Sequence, residues 1–280
     1  MAKVREFVHF MPELPEVETT VNSLNILKNK KVTNLDILTK KLRYPVPLRP
    51  LKKIINAKII NIRRIAKYVI IDLNISKSII IHLGMSGRLK ILNHKSLIKK
   101  HDHLVLKFIN NYKLIFNDPR KFGFVDIVKS DEIKNIRYIK KLGIDALDKK
   151  LSKDYLFQKF CKSEVLIKQL LLNQYILAGI GNIYASEILF DAKISPLKKG
   201  KDLNKYQVGT IIKSTKKILN NAIRFGGSTI NDYVAPDGTL GNFQNNFKVY
   251  GKEGHTISGY KIKKIVLYGR STFYCPEIQI

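Results

Sequence analysis

The chain has 280 residues, 45% of them hydrophobic, and a formal charge of +29; this is enough apolar material for one large or two modest cores and excludes a disordered tail. So large a positive charge implies a polyanionic partner, although abundant lysine, isoleucine and asparagine also follow from composition bias, and no apolar run approaches the length of a membrane span. With two cysteines, Cys161 and Cys275, a disulfide framework is excluded and a reducing cytoplasm is the expected setting.

Residues 1–10 contain an acidic residue and no apolar core long enough for a secretory signal, so they read as an extension. The segment after them, Met11-Pro-Glu-Leu-Pro-Glu-Val-Glu-Thr19, supports two readings. In one, Pro15 at a first helical position with Glu16 and Glu18 in the first turn opens an ordinary helix, continued by the stripe Val17, Val21 and Leu24. In the other, the chain begins at Pro12 and presents a secondary amine. An α-amino group has a pKa of roughly 7.7–8.0 and is a usable nucleophile at neutral pH, and Glu13 and Glu16 stand beside it as proton donors or acceptors. If residues 1–10 stay attached, Pro12 is an acylated peptide nitrogen and that chemistry stops. The functional chain is therefore expected to begin at Pro12.

From Lys58 to about Val128 the pattern is that of short strands, at 68–73, 78–82, 88–92, 103–108 and 113–116, which suggests a sandwich. Asn110-Asn111 reads as a tight turn between two of them. The charged stretch 130–149 is the expected hinge. Beyond it the period changes to 3.6, with helices expected at 164–172, 182–191 and 206–225; in the last, Val208, Ile211, Ile212, Thr215, Ile218, Leu219 and Ala222 share one face. Residues 226–243 are rich in glycine and turn formers and too long for a routine connection, which points to a functional loop. From Phe247 onward strand pairs return. Cys161 reads as a buried small hydrophobe. The expected organisation is an extension (1–10), a β domain (11–129), a hinge (130–149), a helical domain (150–246) and a terminal finger (247–280).

Pro12-Glu-Leu-Pro-Glu-Val-Glu-Thr19 resembles the amino terminus of the bacterial formamidopyrimidine-DNA glycosylases, which excise 8-oxoguanine and ring-opened purines. Further stretches follow in the family's order: Arg64-Ile-Ala-Lys-Tyr68, His82-Leu-Gly-Met-Ser-Gly87, Asn117-Asp-Pro-Arg-Lys-Phe-Gly123, Gly179-Ile-Gly-Asn-Ile-Tyr-Ala-Ser-Glu187 and Gly269-Arg-Ser-Thr-Phe-Tyr-Cys275. The resemblance implies an α+β fold, with an N-terminal antiparallel β-sandwich flanked by helices and a C-terminal helical domain holding a helix–two-turn–helix element and a β-hairpin finger. It also implies a cytoplasmic monomer that binds double-stranded DNA containing oxidised bases or abasic sites. The implied reaction is attack of the Pro12 nitrogen on the sugar C1′ while Glu13 protonates the ring oxygen and Glu16 assists. An iminium forms, and β- and δ-elimination then cut the strand on both sides.

An enzyme of this kind extrudes its target nucleotide and fills the hole. Met85, otherwise a core residue at a strand end, matches the family's apolar wedge; Arg120 and Phe122, otherwise a turn with a snorkelling arginine, match the groups that bond the orphaned base and stack on its neighbour. Lys67, counted with Pro12, Glu13 and Glu16 in the implied catalytic set, matches the family's phosphate ligands together with Asn182 and Arg270, with His82 and Tyr250 as further contacts. Asn182 opens a helix after Gly179-Ile-Gly181, where backbone N–H groups favour an anion. The loop 226–243 resembles the family's lesion-capping loop. A sister specificity, oxidised pyrimidines as in the endonuclease VIII group, is disfavoured by the Leu14-Pro-Glu-Val-Glu18 run, and a damaged-DNA binder with a blocked Pro12 is the non-catalytic alternative. Most bacterial members hold zinc with four cysteines, and a closed zinc site needs four ligands. The finger here offers only Cys275 and His255, with Ile278 standing where the partner of Cys275 belongs, so no metal or other cofactor is expected and Ile257, Tyr260, Ile262 and Ile278 are expected to hold the hairpin by packing.

Overall fold

A computed structural model describes residues 11–109, 111–229 and 234–280; residues 1–10, Asn110 and residues 230–233, with the expectations that fall on them, lie outside it. The chain opens with α1 (Leu14–Leu24), β1 (Val32–Ile37) and α2 (Leu48–Lys52) and continues through β2 (Ile59–Ile65), β3 (Tyr68–Leu73) and β4 (Lys77–His82). Four more strands follow: β5 (Arg88–Asn93), β6 (Asp102–Phe108), β7 (Tyr112–Asn117) and β8 (Phe124–Lys129). These eight form two antiparallel sheets in the orders β1-β6-β7-β5 and β2-β3-β4-β8, packed face to face over Val69, Ile71, Ile79, Ile81, Leu104, Leu106 and Phe116.

In β3 and β4 the alternation expected of a half-solvated sheet is absent, because both faces are covered. Ile71 and Ile79 point into the sandwich, while Ile70 and Ile80 pack outward on Ile133 and Ile139. The covering segment is the stretch expected to be a hinge. It contains a 3-10 turn (Ser130–Asn135), α3 (Arg137–Lys140) and the short β9 (Ile144–Asp145).

The C-terminal part contains α4 (Lys153–Phe160), α5 (Ile167–Leu172), β10 (Leu177–Ala178), α6 (Asn182–Asp191) and α7 (Lys205–Arg224), then β11 (Thr256–Ile257), β12 (Tyr260–Lys261), β13 (Lys263–Leu267) and β14 (Arg270–Tyr274). Helix α7 is held at its start by a capping box between Asn204 and Gln207, an arrangement that satisfies otherwise orphaned N–H groups. Strand β9 pairs in parallel with β10, so the segment after the sandwich is stitched to the loop that leads into α6. Arg64 tightens this seam by donating to Glu18 of α1 and to Asp145 of β9.

The decisive feature for the site is where α1 lies. Val17, Val21 and Leu24 are buried in the sandwich core, whereas Leu14 is buried in the C-terminal core among Ile180, Ile183 and Tyr184. Pro12 and Glu13 are thereby fixed at the junction of the two cores.

Several expectations need correction. Helix α5 starts at Ile167, because Leu166 is extended and bridges Lys199, so residues 164–166 are not helical. Helix α4 and strand β1 lie where no element was expected. Cys161 is partly exposed at the end of α4, and Cys275 is the buried cysteine. In the finger, Ile262 joins the core with Phe273, but Tyr260 is exposed and does not hold the hairpin.

Candidate active site

The stretch Gly179-Ile-Gly181 turns the chain into α6, and the first N–H groups of that helix have no intrahelical partner. Glu13 fills this gap: its Oε2 accepts from Gly181 N at 2.6 Å and Tyr184 N at 3.4 Å, and its Oε1 from Ile183 N at 3.0 Å. Gly181 is required there because an added Cβ would fall 2.4 Å from Glu13 Cδ. Leu14 N donates to Gly179 O at 3.0 Å, so the backbone on one side of Glu13 and its carboxylate on the other are both fixed to the same turn.

Two effects oppose each other at Glu13. Burial penalises the charged form, while the Lys67 ammonium and the N–H donors favour it. Burial prevails, and the carboxyl is pushed up to about 7. Glu16 has no exposed surface and is likewise pushed up by burial. Its oxygens accept from Tyr184 Oη at 2.6 Å, from Ser228 N and Oγ at 2.8 and 2.9 Å, and from the backbone N of Glu13 itself at 3.0 Å. Glu16 therefore fixes the main chain next to Pro12 and links it to the start of the 226–243 loop.

Lys67 reaches this centre from the turn between β2 and β3. Its Nζ donates to Ile180 O at 3.0 Å, and burial, aided by the nearby Arg270 charge and opposed by Glu13, holds its pKa below the usual lysine range. A cleft of about 1080 Å³ opens beside Met11 and is walled by Lys67, Tyr68, His82 and Phe124. His82 stacks on Phe124 with ring centroids 5.6 Å apart and accepts from Gly84 N at Nδ1. Burial lowers its pKa to about 4. It is therefore neutral at physiological pH, and Nε2 carries the proton as an uncharged donor.

Met85, Arg120 and Phe122 form a second group on two interlocked loops. Gly84 has φ +65°, and a Cβ there would fall 2.4 Å from Gly123 N, so the loop carrying Met85 lies directly against the end of the loop carrying Phe122. Asp118, fully buried, holds both loops. It accepts from Ser86 Oγ at 2.5 Å, Gly123 N at 2.8 Å and Arg120 N at 3.3 Å. Arg120 lies over the Phe122 ring at 4.8 Å, and that ring is 43% exposed.

The finger is joined to α6 by its backbone. Asn182 Nδ2 donates to Ser271 O at 3.0 Å and lies 3.5 Å from Tyr250 Oη; Lys168 Nζ donates to Ser271 O at 3.1 Å and Thr272 Oγ1 at 2.6 Å. Burial, with the charge of Arg270 nearby, lowers the Lys168 pKa to about 7. Glu187 accepts from the N–H groups of Lys248, Val249 and Tyr250, which places Tyr250 against Phe247 and Phe273. At the far end, Gln279 accepts from Cys275 N and donates to Ile194 O. Cys275 Sγ is 3.7 Å from Glu277 Oε2, and no group of three or more His, Cys, Asp or Glu suited to a metal exists among the described residues.

The structure thus brings Glu13, Glu16, Lys67 and Asn182 to one turn, with Arg270 nearby, and assembles Met85, Arg120 and Phe122 separately. Sequence reasoning did not single out Tyr184, Ser228, Asp118, Lys168 or Glu187. Asp118, Tyr184 and Glu187 lie inside the quoted stretches and Ser228 inside the singled-out loop 226–243, which was the available signal; Lys168 carried none beyond an apolar helix pattern.

The family model of the formamidopyrimidine-DNA glycosylase N-terminal domain matches residues 11–125, and that of the formamidopyrimidine-DNA glycosylase H2TH domain matches residues 142–234. The chain is 43% identical over 271 residues to the formamidopyrimidine-DNA glycosylase of Zymomonas mobilis subsp. mobilis, covering 96% of this chain and 100% of that protein. It is 41% identical over 272 residues to the one from Rickettsia africae, covering 96% and 99%. Among solved structures, an FPG mutant of Lactococcus lactis in complex with Fapy-dG containing DNA superposes with a TM-score of 0.89 at 34% identity, covering 96% of this chain and 99% of that one. The Lactococcus lactis Fpg in complex with abasic-site DNA gives 0.88 at 34% identity, covering 95% and 99%. On the fold, the ordered site residues and these matches together, the chain belongs to the formamidopyrimidine-DNA glycosylase family.

Proposed function

We propose that this protein is a base-excision DNA repair enzyme, a DNA glycosylase joined to an abasic-site lyase, acting on duplex DNA that carries oxidised or ring-opened purines. The observation that carries the reading is the Glu13 carboxyl, buried and poised near neutrality directly after Pro12, where both cores and the start of α6 meet. In its active form the chain begins at Pro12. The amine attacks C1′ of the extruded nucleotide as the glycosidic bond breaks, its N–H proton passes to the departing base, and Glu13 donates its own proton to the ring oxygen as the nitrogen lone pair opens the sugar to the iminium. Glu16 holds the Glu13 backbone and receives the loop that covers the lesion. Loss of protons from C2′ and then C4′ expels the two phosphate-bearing strands in turn.

Lys67, His82, Asn182, Tyr250 and Arg270 are proposed to grip the phosphates at the kink, offsetting a deformation that costs several kcal/mol. Met85, Arg120 and Phe122 are proposed to fill the void. Among the described residues no helix is long and apolar enough to cross a membrane, and we place the enzyme in the cytoplasm as a nucleoid-bound monomer. The direct test is a duplex with one 8-oxoguanine. Chain verified to start at Pro12 is expected to release the free base and leave phosphates on both flanking ends; an intact strand after complete binding sinks the proposal. The second reading is a damaged-DNA binder, the outcome if Pro12 stays acylated by Met11.

Gly181→Ala tests the cradle. The new methyl displaces the Glu13 carboxylate, and a misplacement of about 1 Å at a reacting group lowers rate about 100-fold. Single-turnover base release is expected to fall by that order while abasic-duplex binding changes little, and unchanged release argues against Glu13 as the acid.

The finger is proposed to work without metal, held by Ile262 and Phe273 in the core and by the Gln279 anchor. Prolonged chelation with EDTA, followed by melting and duplex-binding measurements, is expected to leave both unchanged. A fall in either, reversed by added zinc, contradicts this.

A further inference from the structure

The finger's outer hairpin ends in a two-residue turn. Leu267 pairs with Arg270, which leaves Tyr268 at φ +49° and Gly269 at φ +71°. Positive φ at both central positions is the geometry for which Asn-Gly is the favoured pair, and a bulky side chain there is an outlier under strain. Packing does not compensate this strain, since the Tyr268 side chain is 63% exposed and so is the neighbouring Val266. Strain kept by a bulky residue at an exposed turn without a structural return makes the position a candidate for function.

The location says what it meets. Strand β14 is fastened at its start to α5 and α6, where Lys168 and Asn182 both bind Ser271 O. The turn is therefore held at its base and abuts Arg270, whose charge acts on the buried Lys67 and Lys168. From His255 to Tyr274 the finger carries Lys261, Lys263, Lys264 and Arg270 and no carboxylate. An apolar tip on a wholly basic arm suits a polyanion whose sugars and base edges offer apolar contact beside the phosphates.

We propose that Tyr268 is a second wedge: its ring packs against the deoxyribose and base edges of the bent duplex, next to the phosphate that Arg270 holds. The inference rests on the DNA-repair reading above. The strain predicts a separation of two quantities that a structural residue cannot produce.

Melting temperature and fluorescence anisotropy with a duplex containing a tetrahydrofuran abasic analogue are to be measured for wild type, Tyr268→Asn and Tyr268→Phe. Tyr268→Asn is expected to melt at or above the wild-type temperature, because asparagine suits the turn, yet to bind about tenfold more weakly, within the range for loss of one aromatic contact to nucleic acid. Tyr268→Phe, which keeps the ring, is expected to bind within about twofold of wild type on the same grounds. Asparagine binding as tightly as tyrosine, or melting lower than wild type, overturns the proposal. Wild-type protein that fails to bind the duplex overturns instead the DNA reading on which it rests.

Discussion

Glu13→Gln is expected to lower base release by about 100- to 10,000-fold, the span attributed to a positioned general acid, while binding to abasic-analogue duplex survives. The amide cannot supply the proton that the opening sugar ring requires. It also meets the wrong partners: both Glu13 oxygens accept backbone N–H groups at the start of α6, and an amide nitrogen turned toward either is a donor facing a donor. That mismatch destabilises the turn by about 1–3 kcal/mol, so a melting curve must accompany the assay. A pre-formed abasic site, where the base has already gone, is expected to be cut with a much smaller loss. Wild-type excision by the glutamine variant removes Glu13 from the reaction.

The pH profile follows from the same group. Glu13 acts in its protonated form, and burial raises its pKa to about 7, so the competent fraction falls as pH rises through that value. The amine acts unprotonated, and an α-amino group loses its proton near roughly 7.7–8.0, so its competent fraction rises with pH over the same range. Their product peaks between the two values. In Glu13→Gln the alkaline decline is expected to disappear from whatever release remains.

The parts of this site that the sequence displayed are those compressed into short stretches. Pro12, Glu13 and Glu16 lie within one turn of chain, so a local pattern displays them together as a candidate set, although the residues alone also fit an ordinary helix start and it is the family resemblance that supplies the chemistry. What holds them is spread out. Tyr184 and Ser228 meet Glu16 from 168 and 212 residues away, and no local pattern announces that a tyrosine on a nearly wholly buried helix spends its hydroxyl on a carboxylate. Elements follow the same rule. Strands β3 and β4 were visible as β-branched runs, but that their two faces enter different clusters depended on where residues 130–142 fold back. Residues 164–166 carry a helical pattern that loses to a bridge with Lys199, a tertiary contact overriding local preference. Asp118 sat in a quoted stretch, yet its grip on Ser86 joins loops that strands β5 to β7 separate in sequence.

Borohydride is expected to fix an abasic oligonucleotide covalently to chain that begins at Pro12 and to fix none to chain that retains Met11. The difference is all or nothing because it concerns one lone pair. A terminal proline nitrogen is a secondary amine; acylated by Met11 it is a planar amide whose lone pair is delocalised into the carbonyl and forms no bond to a sugar carbon. The structure adds a steric reason, since Met11 lines the cleft beside Lys67 and His82, the place proposed above for the target phosphate and sugar. Family resemblance at the sequence level runs from residue 11, which places residues 1–10 outside the matched domain but leaves their fate to chemistry rather than homology. Intact mass measurement on protein from its native cell reads the terminus directly, and the trapping assay on that same material reads the amine. Trapping by a population whose mass still includes residues 1–10 assigns the nucleophile to another group, of which Lys67, buried beside Glu13 with a lowered pKa, is the first to test by Lys67→Arg. Absence of trapping in a population that starts at Pro12 makes the protein a binder of damaged DNA and removes the covalent step altogether.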